Sequence, residues 1–127
     1  MNPHRRHVAN AAGLLLLCTF AALGARALAA GCEDALTSAE MLNCASRQYE
    51  AAKARLEDVY RQLAARLPAS RRGQLEASQD AWTAYRDAQA AFVAGAAEDG
   101  TLYPVLQVSE QTALTEARIK ELRQISE

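Results

Sequence analysis

From Val8 to Glu127 the chain has no histidine; the only two, His4 and His7, lie at its very start. A working domain without His4 and His7 has no Ser-His or Cys-His catalysis and lacks the commonest transition-metal ligand. Acidic residues are also absent until Glu33. No stretch beyond residue 30 alternates apolar and polar side chains for long enough to make a strand, and none repeats or is of low complexity. The longest apolar run, Ala11 to Gly24, has about 14 residues, too few for a mature membrane-spanning helix of about 20.

What stands at the N-terminus has the order of a secretory signal peptide. Arg5 and Arg6 make a basic start, the run containing Leu14 to Leu17 and Phe20 follows, and Ala27-Leu28-Ala29 is a small-residue cleavage pattern. Residues 1–30 are therefore expected to be removed and the rest exported to the periplasm or the exterior. The whole chain has 14 Lys and Arg against 15 Asp and Glu. Loss of Arg5, Arg6 and Arg26 leaves 11 against 15, a net charge of −4. Such a domain has no long-range attraction for nucleic acid or anionic lipid but is drawn to basic partners.

Residues 31–127 form one domain of about 97 residues, small enough to need a restraint besides its core. Cys18 leaves with the signal, so Cys32 and Cys44 remain, and in an oxidising compartment they read as a disulfide contributing about 3 kcal/mol in the chain-entropy view. The competing reading is a lipoprotein anchored at Cys32, since Leu28-Ala29-Ala30-Gly31-Cys32 resembles a lipobox shifted by one residue.

Three helices follow from periodicity. Thr37-Ser38-Ala39-Glu40 has capping-box spacing. Met41, Ala45, Tyr49, Ala52, Leu56, Val59, Leu63 and Leu67 then recur every three or four residues until Pro68 stops the helix. Ser70 is the expected cap of a second helix, whose stripe reads Leu75, Gln79, Trp82, Tyr85, Gln89, Phe92 and Ala96 and whose end is Glu98-Asp99-Gly100. A third runs from about Pro104 with Val105, Val108, Thr112, Thr115, Ile119, Leu122 and Ile125 on one face. The expected fold is all-α, a small antiparallel bundle of about three amphipathic helices with an N-terminal disulfide.

With these elements placed, the chain resembles the LprI family of small exported lysozyme inhibitors. Three segments carry the likeness: Cys32 to Cys44 with Thr37 and Met41 between them, then Leu56 and Tyr60; Leu75, Gln79, Trp82, Tyr85, Arg86 and Asp87; and Leu114, Thr115, Arg118 and Leu122. The chain departs from the family where Ala90 and Glu110 replace a second cysteine pair, Glu57 replaces a usual Asn and Lys53 a common Asp. The resemblance implies a non-enzymatic binding protein that protects peptidoglycan by blocking a muramidase. The alternative is a periplasmic structural or adaptor protein that binds another envelope protein.

Individual residues carry two readings each. Trp82 and Tyr85 are expected in the core, with a binding contact as the alternative. Arg86, Asp87 and Arg118 are expected to hold helices together through ion pairs or hydrogen bonds, and a partner contact is the sharper reading. Glu98 and Asp99 make either a solvated turn or an acidic loop that reaches into the cleft of a cationic lysozyme or other basic envelope protein. No cofactor is expected. The acids show no calcium-loop spacing and no argued carboxylate pair, so an enzyme is disfavoured.

Overall fold

The computed structural model describes residues 32–126, and the expected signal peptide, 1–30, lies outside the described residues. Three helices make up the domain: α1 (Ser38–Arg66), α2 (Ala69–Ala94) and α3 (Tyr103–Ser126), with a single 3-10 turn, Gly95–Ala97, after α2. Among the described residues there is no strand.

Each boundary has a local cause. Thr37 has extended backbone and its hydroxyl accepts from the amide of Glu40, while a Glu40 carboxylate oxygen accepts from the amides of Thr37 and Leu36. This is the capping box that the sequence predicts. Its hydrogen bonds, the backbone one from Thr37 first, hold the Glu40 carboxyl below its ordinary pKa. A lowered carboxyl contributes stability that is present above the unfolded-state pKa and lost as pH falls through the folded one. Thr37→Ala should therefore cost about 1 kcal/mol at neutral pH. Glu40→Gln should destabilise at pH 7 and approach wild type in acid. Denaturant titrations at pH 7 and pH 3 check both, and equal Glu40→Gln losses at the two pH values would contradict the linkage.

At the first turn, α1 stops at Arg66 before Pro68. Pro68 itself, not Ser70, is the N-cap of α2, and no side chain caps that end. The expected Ser70 cap is thus corrected: Pro68 has the φ and extended ψ that launch a helix directly, so the helix begins two residues earlier, at Ala69. Arg71 and Arg72 remain in its first turn, against the helix dipole.

Cross-helix hydrogen bonds set the register. Arg118 reaches Gln79 and Gln111 reaches Asp87, so positions on α3 fall as those on α2 rise and the two run antiparallel. The short turn at Leu67 and Pro68, with Tyr49 of α1 beside Arg86 of α2, makes those neighbours antiparallel as well. The third helix packs against both others, most extensively α1. Leu56 and Leu63 of α1, Leu75 of α2, and Ile119 and Leu122 of α3 form the central cluster, with Val59, Tyr60, Leu67 and Trp82 half-buried around it. Thr115 is fully buried, and its hydroxyl donates to the Gln111 carbonyl at 2.7 Å, which satisfies it within its own helix. Arg55 and Glu116 pair between α1 and α3.

The face that α2 turns inward differs from the expected stripe. Leu75, Ala90 and Ala94 are buried and Trp82 packs on the core, but Tyr85 is 54% exposed and Phe92 80%. Ala96 is exposed too. Steps of four from Trp82 reach Arg86, Ala90 and Ala94; the aromatic-weighted steps through Tyr85 and Phe92 drift off that line. Ala90 and Ala94, with no exposed surface, let α2 approach its neighbours closely, where a ring would not fit.

Candidate functional site

The family-motif residues, scattered in sequence, meet at the seam between α2 and α3. Arg86 is the hub. Its side chain is only 12% exposed, and its guanidinium carbon lies 5.3 Å from the Trp82 ring centre and 5.6 Å from that of Tyr49. Arg118 lies 5.9 Å from the Trp82 ring, so two guanidiniums, one from α2 and one from α3, lie near that ring. Two cations near one indole gain from its quadrupole, by about 0.5–2 kcal/mol each depending on desolvation. Lys53 also approaches Tyr49, at 5.4 Å.

Carboxylates and amides complete the network. Asp87 accepts from Arg86 Nε at 2.8 Å and from Gln111 Nε2 at 3.0 Å, which ties α2 to α3. Arg118 donates from Nε to Gln79 Oε1 at 3.2 Å and from Nη2 to Ser78 Oγ at 2.9 Å, and pairs with Glu121 at 3.1 Å. Burial pushes the Tyr49 phenol above its ordinary pKa, while Arg86 pulls the other way. Gln79, Trp82, Arg86, Asp87, Thr115, Arg118 and Leu122 are therefore one connected structural unit. Tyr85 is the motif residue left out of it, facing solvent.

Tyr49, Ser78 and Gln111 belong to this network and were not singled out from sequence. Tyr49 was visible only as an apolar position in the first stripe. Its stacking partner depends on how α2 is rotated, which its spacing does not encode.

At the N-terminal corner Cys32 and Cys44 are joined by a disulfide, with Cα atoms 5.7 Å apart. The strap before α1 folds back along it, as the spacing requires. The Ala35 amide donates to the Cys32 carbonyl at 3.1 Å and Gln48 Nε2 lies 3.3 Å from Cys32 Sγ. Glu98 and Asp99 are exposed in the turn from α2 to α3 and make no ion pair among the described residues. That turn is ordered by its backbone: Glu98 N donates to Gly95 O, Gly100 N to Ala97 O and Tyr103 N to Gly100 O. Asp99 takes φ of 63°, the left-handed region that Asp tolerates better than most residues.

Among the described residues no three His, Cys, Asp or Glu side chains are grouped to hold a metal ion, and no helix is long and apolar enough to cross a membrane.

Comparison with known proteins places this arrangement. Residues 30–122 match the family described as Lysozyme inhibitor LprI. An uncharacterized protein of Rhizobium meliloti (strain 1021) is 33% identical over 135 residues, covering 96% of each chain. No solved structure matches the chain significantly.

Proposed function

Since the chain belongs to the LprI lysozyme inhibitor family, we propose that it is an exported envelope protein that binds a muramidase and protects peptidoglycan from it. The observation that carries the reading is the extent of the family match, which begins at residue 30, where the expected signal peptide ends, and covers nearly all of the helical domain. The bridge supports a soluble exported form, because the Cys32 sulfur that a lipid would need is held by Cys44. The buried motif residues are then the scaffold, and the exposed ones are left to do the binding.

The acidic turn is the part best suited to a basic enzyme. Glu98 and Asp99 make no ion pair among the described residues and sit on a turn with an ordered backbone, so little conformational entropy is lost when it meets a cationic surface. Opposite charge speeds encounter and sets orientation. In this reading the protein blocks by occupying a cleft and does no chemistry.

A turbidity assay of lysozyme-driven lysis with purified protein tests it. Micromolar protein should slow lysis by at least one class of lysozyme. Glu98→Gln with Asp99→Asn, which removes both charges and keeps a residue that accepts left-handed φ, should weaken inhibition roughly tenfold, more at low salt. Absence of inhibition for every lysozyme class rejects the function, and unchanged potency of the double variant rejects the loop.

A further inference from the structure

The seam network and the acidic turn leave one large feature of the domain unused, the outer face of α2. Phe92, in the last turn of α2, is 80% exposed, and Tyr85, nearer the middle of the helix, is 54% exposed. Ala77, Ala81, Ala84 and Ala88 share that exposed face. A side chain the size of Phe92 left in water forgoes a substantial gain from burial, and contiguous apolar surface rimmed by charge marks an interaction site.

The charges at the two ends of the helix say what fits. Arg71 and Arg72 lie exposed in its first turn, and Glu98 and Asp99 lie exposed just beyond its last. A second α2 turned end for end presents acid to each basic end and a basic pair to each acidic end. With a two-fold axis between Ala84 and Tyr85, Phe92 of one copy falls opposite Ala77 of the other, Ala88 opposite Ala81, and Glu98 opposite Arg71. Large therefore meets small at both ends of the contact, which is the condition for interdigitation. Every contact occurs twice, as a closed two-fold interface requires.

We infer that the outer face of α2 is a self-association surface on which a second copy of this chain packs antiparallel, with Phe92 seated against Ala77 and Ala81 and Arg71 paired with Glu98 across the two-fold axis. A 26-residue helix is about 39 Å long. One face of it buries less than the roughly 800 Å² per partner of a standard stable interface, so the dimer is a weak one, filled only as concentration rises. The pairing uses the same acidic turn that the inhibitor reading gives to a basic enzyme, so the two interactions exclude one another.

Sedimentation equilibrium of the purified protein from micromolar to millimolar concentration tests this without any lysozyme, and so succeeds or fails apart from the inhibitor reading. The weight-average mass should rise toward twice the monomer. Phe92→Glu should remain a monomer throughout with unchanged circular dichroism and melting temperature, since the side chain is 80% exposed in the monomer. Arg71→Glu should weaken association at least tenfold, and adding Glu98→Arg should restore most of it. Monomeric wild type across the range overturns the inference. So does a dimer that survives Phe92→Glu, or a charge swap that fails to rescue.

Discussion

Shortening Leu122 to alanine should lower the free energy of unfolding by about 3–4 kcal/mol and the melting temperature by more than about 10 °C. Leu122 has no exposed surface and lies in the cluster where Leu56 and Leu63 of α1, Leu75 of α2 and Ile119 of α3 meet. Three helices converge on its side chain, so closing the gap would require all three to move, and partial collapse is the most the structure can do. For a domain of this size the loss is a large share of the total stability. Leu36→Ala is the matched control: the same atoms are deleted from a side chain that is 84% exposed, and the change should stay within about 0.5 kcal/mol. Urea titration of both variants decides it. A Leu122→Ala loss near that of Leu36→Ala would mean that the central cluster is not what holds the helices together.

Removing the disulfide should have an effect of similar size by a different route. The double change Cys32→Ser and Cys44→Ser should cost about 3 kcal/mol, because the bridge closes a loop of 12 residues and restrains the unfolded chain. In the folded state little else should change. Cys44 is almost fully buried, and the helix beyond it has its own cap at Thr37. The loss should therefore appear as a lower melting temperature with nearly unchanged helix content, and as faster proteolysis of the strap before Thr37. Reducing agent should destabilise the wild type to the same level and leave the double variant unaffected. A wild type whose melting temperature ignores reductant would show that the bridge adds no stability. Intact mass before and after reduction also separates a chain with this bridge from one lipidated at Cys32.

Much of the first and third helices is legible in the amino-acid order because the governing rules there are local. Thr37 and Glu40 are three residues apart and cap the same turn; Pro68 lacks the amide that another turn would need. In α3 the stripe from Thr115 through Ile119 to Leu122 is the buried line, and it is the line that spacing predicts. Ile125, the last member of that stripe, is 57% exposed because the core has ended before it. In α2 apolar content is a poor guide to Tyr85 and Phe92, because the largest apolar groups of this helix are not the ones it buries. The helix instead turns Arg86, Ala90 and Ala94 inward. An arginine is a poor core residue by itself, and it becomes a good one only between Tyr49 and Trp82 with Asp87 beside it. None of those relations can be read from the spacing of α2 alone.

Helix number, the start of α1 at its capping box, its end before Pro68 and the candidate pairing of Cys32 with Cys44 were thus legible in the chain's own order, through a cap, a proline, spacings of three and four and two cysteines that close a short loop. Tertiary structure alone decided which side of α2 faces inward. That choice rests on how near three backbones can come: alanines with no exposed surface permit close approach, and a guanidinium stack spanning α1, α2 and α3 forms only once they have met. It is also the choice that leaves Tyr85 and Phe92 in water while Trp82 and Arg86 are drawn into the seam with Arg118.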